Sequence, residues 1–298
     1  MKTKSLLQAA LRGGIASLAI TLLALGSPAQ AASPKALQFT SSVVNTAGST
    51  MTLDHPLLNG KPKLNLILTQ RLGPGVVYNN HPVGVQYDPA NGRWQIRNED
   101  VAAIPAGACF NVLIPASSKR VGTTVDSVWD NVTTFTYQFN KPNALLLATH
   151  IVNPVLNFPG NLLPRNIGTY YTGTGSTYPL YYNKWSVYTE DGGDLPVVGF
   201  NIADVSKTKI GGVANSFVFT TTAGNTSANQ GIINNSVTND KPNAVVFVTH
   251  VYGFGSSTYQ DTPLGVWYSG GTWRIFTQDT SAMPANRAFV VSSYPLTP

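Results

Sequence analysis

Charged residues are scarce in this chain. Asp, Glu, Lys and Arg make up 11% of its 298 residues, less than half of the roughly 25% usual in soluble domains. Three of the 19 Lys and Arg lie in the first 31 residues, so the remainder carries 16 of them against 13 Asp and Glu, a net charge of +3. No cluster of Lys and Arg remains that would follow a phosphate backbone, so nucleic acid is excluded as a partner.

Cysteine is almost absent, since Cys109 is the single one in the chain. One cysteine excludes an intramolecular disulfide. Cys109 lies in the alternating apolar run GACFNVLI, which predicts a buried thiol that acts as a small apolar side chain rather than a nucleophile.

Long apolar runs are also missing after residue 31. Crossing a bilayer takes about 20 apolar residues, so we predict no transmembrane segment. At the N-terminus, Lys2, Lys4 and Arg12 precede the short run IASLAITLLAL and a small-residue segment that ends at Ala31. This pattern predicts a secretory signal peptide over residues 1–31. We therefore expect a secreted protein, extracellular or at the cell surface, with the periplasm as the alternative.

What the sequence does contain is a threefold internal repeat. The segments KPKLNLILTQ (61–70), KPNALLLATH (141–150) and KPNAVVFVTH (241–250) align without a gap. Downstream of them come GVQY (84–87), GTYY (168–171) and GVWY (265–268), and then WQIRNED (94–100), WSVYTED (185–191) and WRIFTQD (273–279). Fixed spacings of this kind predict copies of one module. The predicted modules are residues 38–115, residues 116–205 with a Tyr-rich insertion, and residues 214–298.

Each module reads as five or six short strands. Its runs are β-branched, leucine-rich or alternating, and they are bounded by Asn, Gly and Pro. The predicted fold is all-β, with three tandem antiparallel β-sandwich-like modules that form separate domains. The alternative is one fused β-structure built from the three repeats.

A β-hairpin in the third module fixes which side chains share a face. A two-residue turn at Gly270 and Gly271 pairs Tyr268 with Trp273 and Trp267 with Arg274. Because side chains alternate along a strand, the Tyr–Trp pair lies on one face and Trp267 and Arg274 on the other. The pair recurs in the other modules as Tyr87 with Trp94 and as Tyr171 with Trp185. Since it persists while the linking loop changes length, we assign it to the core.

The opposite face varies between the modules and gives the candidate contact residues. In the third module it consists of Trp267, Arg274 and Phe276, and in the second it includes Tyr170 and Tyr188. Outward aromatic side chains favour either a platform on which sugars stack or a packing surface between modules. The insertion in the second module adds Tyr178, Tyr181 and Tyr182. A long Tyr-rich loop is typical of a contact surface, so we predict that it binds a glycan or a neighbouring subunit.

Repeated polar residues are assigned to structure rather than to catalysis. Asp100, Asp191 and Asp279 are predicted to cap turns. A shared metal site would also need the carboxylate that precedes each Asp. This residue is Glu99 in the first module and Glu190 in the second, but Gln278 in the third, which argues against such a site. The histidine of the second and third modules becomes Gln70 in the first. We therefore predict no enzyme, no metal and no cofactor, with a retaining-glycosidase carboxylate pair left open.

The motifs together resemble a tandem domain of unknown function that occurs in secreted bacterial proteins, often in several copies. They are PN-A-[LV]-x-[LF]-[AV]-TH, YNNHPVGVQYD, W-x-I-x-N-E-D and P-A-G-A-x-F-NV. The resemblance implies export and repetition, and it assigns no reaction and no functional residues.

The functional expectation is a secreted repeat protein with a structural or adhesive role at the cell surface, in a matrix or in a fibre. The first alternative is a lectin-like protein that binds glycans, and the second is an extracellular hydrolase. The expected partners are further copies of the chain or an extracellular glycan.

Overall fold

The computed structural model describes residues 33–134, 141–152, 160–173, 183–255 and 257–298. All regular secondary structure in these ranges is β-strand. The predicted all-β class is therefore confirmed.

Each repeat contributes seven strands in the same order. Repeat 1 has β1 (Lys35–Thr40), β2 (Thr46–Ala47), β3 (Thr50–Leu53), β4 (Ile67–Arg71), β5 (Val83–Asp88), β6 (Arg93–Asn98) and β7 (Cys109–Ile114). Repeat 2 has β8 (Ser118–Gly122), β9 (Val128–Trp129), β10 (Val132–Thr134), β11 (Leu146–Ile151), β12 (Ile167–Thr172), β13 (Lys184–Thr189) and β14 (Gly199–Asp204). A small hairpin of β15 (Lys209–Ile210) and β16 (Val213–Ala214) follows. Repeat 3 has β17 (Ser216–Thr220), β18 (Thr226–Ser227), β19 (Gln230–Ile233), β20 (Ala244–Tyr252), β21 (Leu264–Ser269), β22 (Thr272–Thr277) and β23 (Ala288–Pro295).

Every repeat divides its strands between two sheets. Its first, fourth and seventh strands form a three-stranded half, and the other four form a four-stranded half. The three large sheets have the strand orders β1-β7-β4-β21-β22-β19-β18, β17-β23-β20-β12-β13-β10-β9 and β2-β3-β6-β5-β11-β14-β8. Each sheet thus joins the three-stranded half of one repeat to the four-stranded half of another.

Within each sheet, the halves of two repeats meet at a junction, so there are three junctions among the described strands. Each junction is a short parallel strand pair. Junction 1–2 pairs β5 with β11, junction 2–3 pairs β12 with β20, and junction 3–1 pairs β21 with β4. The last junction brings the third repeat back to the first. The repeats therefore close in a cycle, as three subunits of a symmetric trimer would.

The two halves of a repeat face each other across a hydrophobic core. The core of repeat 3 consists of its own side chains, including Val246, Trp273 and Phe289. The core of repeat 1 is also its own except for Ile151 of repeat 2. Both descriptions that the sequence left open therefore apply: each module is sandwich-like, as predicted, and the modules share continuous sheets. Independent folding of residues 38–115, 116–205 and 214–298 stays a prediction.

The fourth strands of the repeats, β4, β11 and β20, adjoin one another at the centre. Ile67, Leu147 and Phe247 on these strands are fully buried. Three threonine hydroxyls link the strands in a ring. Thr149 accepts a hydrogen bond from the Leu68 N–H, Thr249 from the Ala148 N–H, and Thr69 from the Val248 N–H, at 2.9, 3.1 and 3.2 Å. The repeated Thr is explained by this ring, because it satisfies a buried backbone donor of the next strand.

The repeated hairpins have the predicted register. Tyr268 lies opposite Trp273, with ring centroids 5.8 Å apart. The equivalent pairs of repeats 1 and 2 have centroid distances of 5.5 and 5.7 Å. All three indole N–H groups donate to the carbonyl of the Lys that opens the Lys-Pro segment: Lys61, Lys141 and Lys241. The core assignment holds for the three Trp and for Tyr87, whereas Tyr171 and Tyr268 are partly buried and pack against the core. The indole bond explains why this Trp recurs.

Candidate functional site

Two predicted contact residues, Tyr170 and Tyr188, lie together at junction 2–3. They line a cavity of about 200 Å³ with Tyr252 and Tyr259, and Asn131 and Val132 complete its wall. We call these four tyrosines the tyrosine cup. Tyr170 lies opposite Tyr252 across the parallel pair of β12 and β20, so the cup exists only because two repeats share a sheet.

The rings of the tyrosine cup hold one another in place. Tyr188 has its ring centroid 5.8 Å from that of Tyr170, 6.1 Å from Tyr252 and 5.3 Å from Tyr259. Tyr252 is 6.3 Å from Tyr170 and 5.8 Å from Tyr259. Most of these contacts are edge-to-face or tilted, which is the arrangement that aromatic quadrupoles favour.

Gly168 makes room for the ring at the bottom of the cup. It pairs with Tyr188 across β12 and β13. A Cβ at this position would overlap both the Tyr188 ring and the Glu190 carboxylate. The glycine is therefore required by the close approach of two side chains, which accounts for its recurrence ahead of each Tyr–Trp hairpin.

Below the cup lies a buried hydrogen-bonded group. Tyr188 donates its hydroxyl proton to Glu190 Oε1 at 3.1 Å, and His250 Nδ1 lies 2.6 Å from the same oxygen. Burial, followed by the charge of Glu190, raises the pKa of Tyr188 well above its ordinary value. His250 and Glu190 are 2% and 1% exposed. Both lie within hydrogen-bond distance of the Tyr188 hydroxyl and so hold it in place, and on another side both line a separate cavity of about 110 Å³.

One part of the sequence-based assignment is wrong. Tyr188 and Phe276 were predicted to face outward, but they are 2% and 1% exposed. Tyr259 covers Tyr188, and Tyr78 covers Phe276 with ring centroids 5.5 Å apart. Tyr259 stands six residues before Gly265, and Tyr78 stands six residues before Gly84. Each of them belongs to the repeat next to the one that it covers. The face that alternation placed toward solvent is thus a packing surface between repeats, the other outcome that the sequence allowed.

Tyr252 and Tyr259 were missed in the sequence. The signal for Tyr259 was present, because Tyr78 stands at the same offset before Gly84 as Tyr259 does before Gly265. Tyr252 gave no signal of its own, because it reaches the cup by a parallel pairing between distant repeats. Of the other candidates, Tyr178, Tyr181 and Tyr182 lie outside the described residues.

Trp267 and Arg274 lie together at junction 3–1, as predicted. The Arg274 guanidinium stands 5.6 Å from the centroid of the Trp267 ring, and its Nη1 donates to Gln230 Oε1 at 2.6 Å. Both side chains are partly buried. Trp267 also lines a second cavity, of about 500 Å³.

The repeated Glu is replaced by Gln in repeat 3, and the repeated His is replaced by Gln in repeat 1. In the structure, the Glu of one repeat meets the His of the next repeat across a junction. His150 Nδ1 lies 2.5 Å from Glu99 Oε1 at junction 1–2, in the same way as His250 meets Glu190 at junction 2–3. At junction 3–1 the equivalent residues are Gln70 and Gln278. Both exceptions in the sequence therefore fall at a single junction, where two amide side chains replace the Glu and the His.

The three repeated Asp residues cap turns as predicted. The side chains of Asp100, Asp191 and Asp279 accept hydrogen bonds from the N–H two residues later, at 3.2, 3.0 and 2.9 Å. Cys109 is free and 4% exposed, which confirms the predicted buried thiol. Within the described ranges, no group of three or more His, Cys, Asp or Glu is placed to hold a metal ion. No helix in that part of the chain is long and apolar enough to cross a membrane.

Three matches to one family cover nearly the whole chain. The family is described as a domain of unknown function (DUF7452), and the matches span residues 28–114, 87–203 and 175–293. The chain belongs to the DUF7452 family. Comparison with the curated proteins and with the solved structures gives no match.

The DUF7452 matches confirm the predicted tandem domain of unknown function. The second match begins in repeat 1 and the third in repeat 2. Each of these matches therefore spans one repeat together with the last strands of the repeat before it. The family description assigns no activity, so a function for this chain has to be argued from its surfaces.

Proposed function

We propose that this protein is an extracellular carbohydrate-binding protein that attaches to glycans through the tyrosine cup. The observation that carries the proposal is the cavity of about 200 Å³ enclosed by four tyrosine rings. An adhesive role follows from such binding, and a structural role would follow if the glycan belonged to a matrix.

The chemistry of the cup suits a sugar. A tyrosine presents an apolar ring face and a polar tip, and a sugar ring has apolar C–H faces and hydroxyls at its rim. The Asn131 amide lies at the edge, where its Nδ2 donates to the Tyr259 hydroxyl at 3.4 Å. The cavity is smaller than the roughly 300–1,000 Å³ of sites that enclose drug-sized ligands. This size favours one sugar unit of a longer chain, held at the surface.

The cup is both rigid and reachable. Four rings in mutual contact lose little further freedom on binding, and preorganisation of this kind reduces the entropic cost of association. Tyr259 is 43% exposed, so its ring can meet a ligand from solvent. The hydrolase alternative has less support, because the lining of the cup contains no Asp, Glu or His of the described ranges.

The test is glycan binding by residues 32–298. A glycan array identifies a ligand, and isothermal titration calorimetry measures its affinity. Tyr259→Ala removes the exposed wall of the cup and should weaken binding at least about tenfold, equivalent to ~1.4 kcal/mol. Tyr78→Ala is the matched control, because it removes the equivalent ring of repeat 1 outside the cup. Unchanged affinity in the Tyr259 variant, or no glycan bound by the parent, would contradict the proposal.

A further inference from the structure

Arg71 occupies a position that is part of the core at the other two junctions. It is the last residue of β4, and the equivalent residues of β11 and β20 are Ile151 and Val251. Both of these are fully buried. Ile151 packs into the core of repeat 1, the neighbour across its junction. At junction 3–1 a cation therefore stands where the same backbone elsewhere carries an apolar side chain.

A cavity of about 500 Å³ lies beside Arg71. Arg71 pairs with Val266, and β21 continues from there to Ser269, past the end of β4. The cavity beside β21 is lined by aromatic and polar side chains and by apolar ones such as Leu72, Val76 and Leu296. Its walls include Trp267, Tyr268, Trp273, Gln38 and Asn243. The volume falls in the range of roughly 300–1,000 Å³ that is typical of ligand sites.

The charge at this cavity is not balanced by the protein. Arg71 Nε is buried and has no hydrogen-bond partner in the described ranges. Within those ranges no carboxylate lies within 4.0 Å of the Arg71 guanidinium. The cavity lining contains neither Asp nor Glu. A second cation, Arg274, stacks on Trp267 at its border.

Arg71 is partly buried, and a cation in such a position is stabilised by an anionic partner, because burial without one costs free energy. A guanidinium pairs best with a planar carboxylate, which it can bind through two parallel hydrogen bonds. An aromatic wall next to that cation suits the apolar face of a ring that bears the carboxylate. The cavity therefore presents a cation for the carboxylate and an aromatic ring for the sugar face. The pairing of β21 with β4 sets the spacing between them.

We propose that the cavity at junction 3–1 binds a carboxylate-bearing sugar unit, with the carboxylate on Arg71 and the sugar ring against Trp267. This inference rests on the proposed carbohydrate-binding function and specifies a second, anion-selective site for it. The tyrosine cup and this cavity lie at different junctions and share no lining residue, so the two sites can be tested separately.

The experiment compares trigalacturonate with its trimethyl ester, which has the same rings and no charge. Affinities of residues 32–298 for both are measured by calorimetry, with sodium acetate at an equal carboxylate concentration as a competitor. Arg71→Val introduces the side chain that stands at the equivalent position of β20, so the variant should fold. Arg93→Gln is the control, because Arg93 lies outside the cavity and faces Asp54 at 3.4 Å.

The parent should bind the acid at least about tenfold more tightly than the ester, since charge-assisted hydrogen bonds are roughly twice as strong as neutral ones. Arg71→Val should abolish that preference, and Arg93→Gln should keep it. The preference should also survive Tyr259→Ala, which separates this site from the tyrosine cup. Equal affinity for acid and ester, an unchanged preference in the Arg71 variant, or displacement of the trisaccharide by acetate would overturn the inference.

Failure of this inference and failure of the proposed function give different results. If neutral glycans bind and respond to Tyr259→Ala while no acid preference exists, the anion-selective site is wrong and the tyrosine cup stands. If the acid binds through Arg71 and no glycan responds to Tyr259→Ala, the cavity at junction 3–1 stands and the cup is wrong.

Discussion

Junctions 2–3 and 3–1 have the same backbone arrangement and different side chains. In both, a parallel strand pair places a glycine beside a side chain of the neighbouring repeat: Gly168 lies opposite His250, and Gly265 opposite Gln70. A third side chain lies beside the glycine: Glu190 at junction 2–3 and Gln278 at junction 3–1. The glycine leaves space for this group in both cases, since a Cβ would meet Glu190 in one and Gln278 in the other.

The part that remains constant is an acceptor for a buried N–H. Glu190 Oε2 accepts from the Gln260 N–H at 2.8 Å, and Gln278 Oε1 accepts from the Asn79 N–H at 3.1 Å. Glutamine has the same length as glutamate and keeps a carbonyl acceptor, so it satisfies this donor without a charge. At both junctions the fold thus places a side-chain acceptor beside a buried N–H, and either a carboxyl or an amide supplies it.

The largest difference should appear when one partner is removed. His250→Ala leaves the buried Glu190 carboxyl without its imidazole partner, and breaking this buried pair should cost ~3–5 kcal/mol of the free energy of unfolding. Gln70→Ala at junction 3–1 removes an amide that bonds the Asn79 side chain and the His81 carbonyl, and should cost ~1–3 kcal/mol. Urea denaturation followed by tryptophan fluorescence measures both. Equal losses would show that the Glu–His pair contributes no more to stability than the amide hydrogen bonds at junction 3–1.

The elements that could be predicted are those whose partners are close in sequence. The diglycine turn fixed the register of Tyr268 and Trp273, and each repeated Asp caps a turn two residues away. The cyclic closure could not be predicted in this way, because its parallel pairs join strands from different repeats. For junction 3–1 those strands come from opposite ends of the chain.

The Glu–His pairing was hidden for the same reason. Comparison of equivalent positions within each repeat showed one missing His and one missing Glu, in different repeats. This argued against a shared role, yet the two exceptions, Gln70 and Gln278, meet at one junction. When repeats close in a cycle, substitutions have to be compared between the two residues that meet at each junction. Which residues meet is known only once the strand pairing is known.

A matched double substitution should convert one junction into the other. Glu190→Gln with His250→Gln places the residues of junction 3–1 at junction 2–3, and the glutamine at position 190 keeps a carbonyl acceptor for the Gln260 N–H. We expect a loss of less than ~1.5 kcal/mol, smaller than that of either single substitution. A double-mutant cycle by urea denaturation gives the coupling energy. Additive losses would mean that the two side chains act independently.

The smallest expected effect concerns Tyr188, whose equivalent at junction 3–1 is Phe276. Tyr188→Phe removes the hydroxyl bonded to Glu190 while Glu190 and His250 keep each other, so at pH 7 the loss should be ~1 kcal/mol. The phenol gives this junction a pH dependence that a phenylalanine cannot have. Burial, and then the charge of Glu190, raises the pKa of Tyr188, so the folded state retains the phenolic proton where the unfolded state releases it.

The sign of the effect follows from that difference. Above about pH 10, the ordinary pKa of tyrosine, the unfolded chain binds one proton fewer at this residue than the folded chain does. The free energy of unfolding of the parent should therefore fall with rising pH more steeply than that of Tyr188→Phe, by ~1.4 kcal/mol per pH unit. Urea denaturation at pH 8, 10 and 11 measures both slopes, and the other tyrosines cancel in the comparison. Parallel slopes would mean that Tyr188 ionises as readily in the folded protein as in the unfolded chain, and the buried group at junction 2–3 would then not hold its proton.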